Sequence, residues 1–557
     1  MKKRLLSILL VFLLVASVLG GCGTKDGDDS KDDSGNVATK APVKDTDNTD
    51  DSDTNEEPEL SKITVEIFDR GTDGGKTDPT NNFYTDWIKA KVLEELNIEV
   101  TFVAVSRWEE TDQLNNLMAA ETAPDVCLTY SGDLIANYRD LGGLSDLAPY
   151  IDSHLSDLKA FLGPDLALAG REMIYRNMNT ETGEVFSIPA RRMNVAQAGT
   201  FIRKDWLDKL GLPLPTTTQE YYDALKAFKE QDPGGVGANN VVPFTMTNDV
   251  RYRAMNILES FVDPTLSTEE RWVNTVIDRY YLLPGYKEGV RFLNKMYNEG
   301  LIDNQFALYK DDTDSDNLIK SGVVGSFIHN WDQPYRDTPG LLRDLRENVP
   351  GAEIVAIDPF VNSEGKTVKG LYDSAGVNFF VPANSENVEG ALRYINWLSK
   401  FENRYFLQIG EEGVTHDMVD GVPKLKPADN EKIMNSGQNI DYTIMINGLD
   451  VGDESKNAQA LAGSYAVESE LIVKAYEDAI RNGRPSIVVP VTLSAAGPYT
   501  QTLTDKGNDM LALSITASPA DFDKVWDDGI AEWRAAGADE IIAERQAKYT
   551  EYIATLN

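Results

Sequence analysis

Polar and aromatic side chains stand at or just beyond the ends of three short segments that have the residue pattern of strands. They are Asp69 and Arg70 after the first, Trp108 after the second, and Tyr130 and Ser131 after the third. Strands separated by helices imply a parallel sheet, and ligands on such sheets bind beyond the carboxyl ends of the strands. We therefore predict that the three loops converge on one crevice. Hydrogen-bonding and aromatic groups in this pattern indicate a binding site and specify no reaction.

The sequence carries no motif of a serine hydrolase, a zinc protease or a nucleotide-binding loop, because Gly-x-Ser-x-Gly, His-Glu-x-x-His and the Walker pattern are all absent. Two cysteines and three scattered histidines leave no cluster of metal ligands. Asp312, Asp314 and Asp316 are spaced like the start of an EF-hand, but the glycine and the final carboxylate of that loop are missing. We interpret this stretch as a charged loop and expect neither a metal nor a cofactor.

The chain is strongly acidic, with 53 Lys and Arg against 90 Asp and Glu and a formal net charge of -37. Nucleic-acid affinity comes largely from Lys and Arg that neutralise phosphates, and anionic membranes attract basic segments. The charge therefore excludes a nucleic-acid partner and electrostatic adhesion to an anionic membrane. A glycoside hydrolase needs two carboxylates in one cleft, but among so many acids a pair in the sequence is uninformative.

The start of the chain predicts secretion and anchoring. A positively charged beginning is followed by an apolar run from Leu5 to Leu19, which has the length of a signal peptide rather than of a transmembrane helix. The run leads through two glycines into Cys22, an arrangement that resembles the bacterial lipobox. We predict a signal peptide over 1–21, lipidation at Cys22, and an acidic, disordered tether over 22–59.

The rest of the chain alternates between strand and helix patterning, which predicts an α/β protein. In its first part we predict strands over 63–68, 98–105 and 124–130, with helices over 83–96 and 109–121. Further on, strands are predicted over 200–203, 323–329 and 377–381. The helices predicted there are 204–210, 286–299, 387–401 and 221–231, the last after a capping box that begins at Thr216.

Short motifs recur along this body in a fixed order. They are Ala123–Val126, Phe201–Gly211, Pro215–Thr218, Ala227–Pro233, Met296–Asp303, Phe379–Ser385, Tyr394–Trp397 and Gly537–Arg545. In number and order they resemble the motifs of family 1 extracellular solute-binding lipoproteins, in the LplA/LipO-like branch that serves carbohydrate ABC importers. The resemblance runs from about position 62 to the C-terminus.

The resemblance implies a two-lobed, periplasmic-binding-protein-like (type II) fold, each lobe a mainly parallel sheet flanked by helices, joined by hinge crossings. It implies a first lobe of 60–198 and 375–440, and a second lobe of 199–374 together with 441–557, which holds the C-terminal helices. Such lobes close over a ligand by a hinge movement. Many members carry a calcium loop, but here the loop after Asp232 has glycine and valine at the ligand positions, so we expect that site to be absent or weak.

A sugar needs a flat apolar surface for the C–H face of its ring and polar groups for its hydroxyls. Trp331 is the first candidate for stacking, because it follows a strand and resembles the tryptophan of the Gly-x-Trp segment in maltose-type binding proteins. The full set of predicted ligand-binding residues is Asp69, Arg70, Trp108, Tyr130, Ser131, Arg191, Arg192, Trp331, Asp332 and Tyr372. The tryptophans within amphipathic helices are predicted to be core, and they are Trp206, Trp397, Trp526 and Trp533.

The resemblance implies a lipid-anchored substrate-binding protein that captures a carbohydrate by lobe closure and delivers it to the permease subunits of an ABC transporter. The acidic body favours a neutral oligosaccharide, although Arg70, Arg191 and Arg192 could offset this locally. The long tether favours the outer face of a Gram-positive cytoplasmic membrane, with palmitate at Cys22, and a monomer is expected. Two alternatives stay open, a surface ligand sensor or adhesin of the same fold and a glycoside hydrolase.

Overall fold

The structure is a computed structural model, and it describes residues 60–71, 78–165, 171–192, 196–337, 339–426, 441–489, 491 and 493–556. The predicted signal peptide, the predicted lipidation site Cys22 and the predicted tether lie outside the described residues. Within the described ranges, no helix is both long enough and apolar enough to cross a membrane.

The first part of the chain brings three strands into parallel alignment, with helices between them. Its elements are β1 (Ser61–Asp69), α1 (Phe83–Leu96), β2 (Ile98–Ser106), α2 (Glu110–Ala119), β3 (Cys127–Thr129), α3 (Gly132–Asp140), α4 (Ile151–His154), α5 (Ser156–Leu162) and β4 (Ile188–Arg192). β1 and β2 pair in parallel along their whole length and end at Asp69 opposite Ser106. On its other side β1 meets the start of β3 through a parallel bridge between Val65 and Val126. The carboxyl ends of the three strands therefore lie at one edge, as predicted.

The ends of α1 are set by its local sequence. The Asn82 side chain accepts hydrogen bonds from the backbone N–H groups of Tyr84 and Thr85, at 2.9 and 3.2 Å. In return the Thr85 hydroxyl accepts the Asn82 N–H at 2.8 Å, a capping box that satisfies donors with no partner inside the helix. Asn97 ends the helix in the left-handed conformation, with φ 54°, which asparagine tolerates. The predicted bounds of 83–96 are confirmed.

The middle of the chain forms a second sheet surrounded by helices. Its elements are β5 (Gly199–Arg203), α6 (Lys204–Leu210), α7 (Thr218–Gln231), β6 (Val242–Thr245), α8 (Val250–Arg253), α9 (Met255–Phe261), α10 (Thr268–Val273), α11 (Tyr286–Asn298), α12 (Asp312–Ser321), β7 (Val324–His329), α13 (Leu341–Asn348) and β8 (Ile354–Ile357). The strand order is β6-β7-β5-β8.

The last part returns to the first sheet and then adds helices. Its elements are β9 (Lys369–Gly370), β10 (Ala375–Phe380), α14 (Val388–Ser399), α15 (Phe401–Ile409), β11 (His416–Val419), β12 (Val422–Leu425), β13 (Ile446–Asn447), α16 (Glu454–Ala462), α17 (Ser469–Ile480), β14 (Gly483–Arg484), α18 (Thr500–Thr516), α19 (Phe522–Trp533) and α20 (Asp539–Leu556). β10 enters between β3 and β4, and β13 pairs with the outer side of β4.

The buried apolar side chains form two large cores. One combines residues from 63–190 with residues from 377–445, and the other combines residues from 198–360 with residues from 503–541. The chain crosses from the first core to the second after β4 and returns before β10. The tryptophans predicted to be core are buried, and they are Trp206, Trp397, Trp526 and Trp533. The lobe boundaries given above stay a prediction.

The α/β class is confirmed, and the sheets are mixed where mainly parallel sheets were predicted. β10 runs antiparallel to β3 and β4, and β5 runs antiparallel to β7 and β8. Both strands enter their sheets after a crossing from the other core. Their direction is therefore not fixed by a local strand–helix–strand unit, which is the pattern that makes neighbouring strands parallel.

Two local predictions are wrong. The capping residue of α7 is Thr217, whose side chain accepts the Glu220 N–H at 3.2 Å, one position after the predicted Thr216. The supposed charged loop at 312–316 is the beginning of α12, because the Asp311 side chain caps the helix by accepting the Thr313 N–H at 2.8 Å. Acidic residues in a first helical turn are favoured by the helix dipole, so acidity alone did not identify a loop.

Candidate functional site

The loops after β1, β2 and β3 meet as predicted. The Arg107 N–H donates to the Asp69 carbonyl at 2.9 Å, which continues the alignment of β1 and β2 past their ends. The Trp108 indole N–H donates to the Arg70 carbonyl at 3.2 Å, and an Arg70 guanidinium nitrogen lies 3.5 Å from the Tyr130 hydroxyl. Five residues from three loops thus share one edge of the sheet.

Trp108 presents an exposed aromatic face at this edge. Its exposed fraction is 73%, whereas Trp331 and Trp87 are half-buried and the other tryptophans of the described residues are buried. The hydrogen bond to the Arg70 carbonyl and the Arg107 guanidinium, 5.5 Å from the indole centroid, fix the ring's orientation. A large apolar ring that the fold itself leaves uncovered indicates a place where a ligand packs.

Tyr130 is the centre of the site. Its ring stacks on Phe68 at a centroid distance of 6.0 Å, and the Arg107 guanidinium lies 4.2 Å from the ring centroid. Its hydroxyl accepts a hydrogen bond from the Asn447 side-chain amide at 3.2 Å. β13 brings Asn447 to this position because it pairs with β4 at Arg192. The hydroxyl and amide groups can bond a hydroxylated ligand while the rings contact its apolar faces.

Glu110 holds the site together and was missed in the sequence prediction. It is buried, it forms an ion pair with Arg107 at 2.9 Å, and its other oxygen accepts the Thr129 hydroxyl at 3.0 Å and the Tyr130 N–H at 3.1 Å. Arg107 and Asn447 were missed as well. In the sequence, Glu110 was recognisable only as part of the start of a helix. Its partners Thr129 and Tyr130 lie 19 and 20 positions away, so local patterns could not reveal its role.

Arg191 and Arg192 diverge, because successive side chains of a strand point to opposite faces. The Arg191 guanidinium donates to the carbonyls of Phe161 and Leu162, at 3.1 and 3.5 Å, at the end of α5. Such carbonyls have no partner within a helix, so Arg191 has a structural role away from Tyr130. The Arg192 guanidinium instead lies 5.8 Å from the Tyr130 ring centroid and 4.8 Å from that of Tyr372.

Trp331 and Asp332 follow β7 and serve different purposes. Trp331 is half-buried, meets Tyr476 edge-on at 5.4 Å, and packs in a small cluster with Tyr372. Asp332 is 3% exposed, and its two oxygens accept the Arg336 guanidinium at 2.7 Å and the Tyr465 hydroxyl at 2.6 Å. Both carboxylate oxygens are therefore occupied within the protein.

Two other predicted residues also bond to the backbone. Asp69 accepts the Gly71 N–H at 2.9 Å, and Ser131 caps α3 by accepting the Leu134 N–H at 3.2 Å. The contacts accordingly join Arg70, Trp108, Tyr130, Arg192, Tyr372 and Trp331 into one continuous set. Asp69, Ser131, Arg191 and Asp332 have local structural roles. Ligand contact by any of the ten stays a prediction.

A partly buried group of ionisable side chains lies beside the turn that carries Trp331. His329 lies 3.3 Å from an Asp312 oxygen and 4.0 Å from an Asp316 oxygen, and Arg253 forms a bidentate pair with Asp312 at 2.7 and 2.5 Å. The His329 Nδ1 accepts the Asn330 N–H at 2.8 Å, which leaves the proton of the neutral ring on Nε2. Within the part of the chain that the structure describes, no set of three or more His, Cys, Asp or Glu is arranged to hold a metal ion.

Burial shifts two of these groups in opposite directions. Burial and Arg253 lower the pKa of His329 to about 4, although Asp312 opposes them, and burial with the Asp312 charge raises the pKa of Asp316 to about 7, against Lys320 and Arg253. Between pH 4 and pH 6.5, His329 is protonated in the unfolded chain and neutral in the folded protein. Asp316 is protonated in the folded protein and ionised in the unfolded chain. Their opposing contributions to the pH dependence of stability therefore cancel in this window.

Asp316→Asn is expected to remove that cancellation. With only the lowered pKa of His329 left, the free energy of unfolding should rise with pH by roughly 1 kcal/mol per pH unit between about pH 4.5 and pH 6 relative to wild type. His329→Gln leaves the raised carboxyl pKa and should give the opposite slope. Urea unfolding at several pH values measures both differences, and parallel curves for the three proteins would contradict the assigned protonation states.

The chain is similar to a protein family, to individual relatives and to solved structures. The family model for bacterial extracellular solute-binding proteins matches residues 78–403. Lipoprotein LipO of Bacillus subtilis (strain 168) is 24% identical over 478 residues, 82% of this chain and 88% of LipO. The polygalacturonan/rhamnogalacturonan-binding protein YtcQ of the same strain is 22% identical over 516 residues, 87% of this chain and 94% of YtcQ.

Among solved structures, the ABC-transporter substrate-binding protein FusA of S. pneumoniae in complex with kestose superposes with a TM-score of 0.61 at 16% sequence identity. The match covers 89% of this chain and 100% of that chain. This likeness shows a shared fold, that of the type II solute-binding proteins, which confirms the predicted fold class.

Proposed function

The chain belongs to the bacterial extracellular solute-binding protein family, and from this we propose that it captures a carbohydrate and delivers it to the permease of an ABC transporter. The observation that carries the proposal is the exposed indole of Trp108, held beside the hydroxyl of Tyr130 and the amide of Asn447. An uncovered aromatic face next to hydrogen-bonding groups matches the two faces of a sugar ring. YtcQ and FusA, by their names, bind or transport oligomeric sugars.

A binding role is favoured over hydrolysis. Two of the carboxylates at this edge, Asp69 and Glu110, accept hydrogen bonds from the protein itself. A glycoside hydrolase needs a free pair of carboxyl groups, one of them able to donate a proton. The matched family is a family of solute-binding proteins. A sensor or adhesin of the same fold remains the second candidate, distinguished by transport assays with a permease.

The proposal includes the cellular setting. It places the protein on the outer face of the cytoplasmic membrane of a Gram-positive cell, as a monomer anchored by a palmitate-bearing Cys22 that follows a cleaved signal peptide. Support comes from the lipobox-like residues at the start of the chain and from the family, which is extracellular, and one relative is named a lipoprotein. Cys22→Ser should release the protein from membranes, as cell fractionation would show.

Trp108→Ala is expected to weaken glycan binding about tenfold with little change in the melting temperature, because the ring is exposed and its hydrogen bond to the Arg70 carbonyl lies at the surface. Binding is measured by calorimetry with the glycan that gives the strongest signal on an array of neutral and acidic oligosaccharides. Trp108→Phe should retain most of the affinity.

Leu141→Ala is the matched control, since Leu141 is also a large apolar side chain exposed outside the site. It should leave glycan affinity unchanged. Equal affinity in wild type and Trp108→Ala would contradict the assigned aromatic platform. No binding to any glycan on the array would overturn the carbohydrate proposal, and release of cleaved sugar would favour the hydrolase.

A further inference from the structure

Guanidinium groups collect at the candidate site although the chain as a whole is acidic. Arg107 and Arg192 lie 4.2 and 5.8 Å from the Tyr130 ring centroid, and an Arg70 nitrogen lies 3.5 Å from its hydroxyl. The formal net charge of the chain is -37, so cations are scarce relative to acids. Three arginines therefore share this edge, a local grouping that the net charge of the chain does not reveal.

Three arginines near this region have acidic partners. Arg107 pairs with Glu110 at 2.9 Å, Arg336 pairs with Asp332 at 2.7 Å, and Arg176 pairs with Asp373 at 2.8 Å. This is expected, because a charge removed from water is costly unless it is paired and hydrogen-bonded.

Arg192 departs from this pattern. It is half-buried between the rings of Tyr130 and Tyr372, and within the described residues its guanidinium forms no ion pair and donates no hydrogen bond. Its backbone is fixed, because its N–H donates to the Ser374 carbonyl at 2.7 Å and β4 pairs with β13 at this residue. The fold thus holds a planar set of N–H donors beside two aromatic rings, and the residues that the structure describes supply no acceptor for it.

We propose that Arg192 binds a carboxylate of the ligand, so that the cargo is an acidic oligosaccharide built from uronic acid residues. The guanidinium matches a carboxylate with two parallel hydrogen bonds, and it is rigid where a lysine would be flexible. The Asn447 amide and the Tyr130 hydroxyl lie next to it for the neighbouring sugar hydroxyls, and Trp108 supplies the apolar surface. The inference rests on the proposed function and replaces the neutral oligosaccharide expected from the net charge.

The relatives do not decide the charge of the cargo, since their names include both polygalacturonan and fructooligosaccharide. The test therefore uses paired probes on one array: oligouronates of several linkages, their methyl esters, and neutral oligosaccharides of the same length. A methyl ester keeps the ring and hydroxyls and removes the charge. Wild type should bind an acidic oligosaccharide about tenfold or more tightly than its ester.

Arg192→Gln should weaken binding of the acid by about tenfold or more and leave binding of the ester unchanged. The loss of affinity caused by the substitution and the loss caused by esterification are therefore not additive. Arg192→Lys should bind the acid more weakly than wild type and more tightly than Arg192→Gln. Arg343→Gln, which removes an exposed arginine paired with Asp344 outside the site, is the matched control and should bind like wild type. Melting temperatures of all variants check that they fold.

Tight binding of a neutral oligosaccharide, or of acid and ester alike, would overturn the assignment of Arg192 and leave the carbohydrate proposal standing. Retention of acid binding by Arg192→Gln would likewise overturn it. An array with no bound glycan of either class would overturn this inference and the carbohydrate proposal together. The wild-type comparison of acid with ester decides the question even where a variant fails to fold.

Discussion

Arg176→Met is expected to lower the free energy of unfolding by about 3–5 kcal/mol, because it removes the cation that pairs with a buried carboxylate. The Arg176 and Asp165 side chains are 6% and 0% exposed, and the guanidinium bonds both Asp165 oxygens, one of them at 2.5 Å. It also donates to Asp373 at 2.8 Å and to the Ser374 hydroxyl at 3.3 Å. Methionine keeps much of the side-chain volume, so the loss reports on the charge.

Urea unfolding at pH 7 measures this loss. Arg534→Met is the matched control, since Arg534 pairs with Asp539 on the surface, with both side chains about half exposed, and such pairs contribute about 0–1 kcal/mol. Equal losses in the two variants would contradict the importance of burial. Asp373 and Ser374 directly follow Tyr372, so Arg176→Met should also weaken glycan binding by loosening that segment.

Asp332→Ala is expected to cost about 3 kcal/mol of stability and to leave the intrinsic glycan affinity of the folded protein nearly unchanged. The carboxylate accepts the Arg336 guanidinium and the Tyr465 hydroxyl inside the protein, and hydrogen bonds to charged groups contribute about 1.5–3 kcal/mol each. Removing the acceptor also leaves Arg336 unpaired. Chemical denaturation and calorimetry with the array's strongest glycan measure the two quantities separately.

Tyr465→Phe is the companion variant, because it removes one of the two hydrogen bonds and preserves the ring. It should lose about half as much stability as Asp332→Ala. The opposite pattern for Asp332→Ala, with stability retained and glycan binding abolished, would restore Asp332 as a ligand-binding residue, the role that its position after a strand predicted.

Local patterns in the sequence determined most of the elements and the edge at which the site lies. Period and capping placed α1 at 83–96, and the order of strands and helices placed the carboxyl ends of β1, β2 and β3 side by side. Amphipathic spacing identified the buried tryptophans, such as Trp397, and left Trp108 outside that group. Motifs in order along the chain identified the family. Each of these signals is carried by residues close together in the sequence.

The tertiary structure decided which of the polar residues face the site and what each one bonds. Arg192 faces Tyr130 and Arg191 does not. The Asp332 carboxylate accepts the Tyr465 hydroxyl inside the protein. The direction of β10 and β5 was also decided at this level. The partners concerned are 133 positions apart for Asp332 and Tyr465, 197 for Arg176 and Asp373, and 317 for Tyr130 and Asn447.

The physical reason lies in the range of the interactions. Hydrophobic periodicity and helix capping depend on neighbours within a few residues, whereas desolvation and charge pairing depend on residues that are distant in the sequence and close in the fold. Net charge, summed over the sequence, favoured a neutral cargo. The electrostatic environment of Arg192 depends on which acidic residues the fold places near it. Among the described residues, no acid lies within ion-pairing distance of its guanidinium. The sequence therefore determined the family and the edge of the sheet, and the packing of distant segments determined the chemistry presented there.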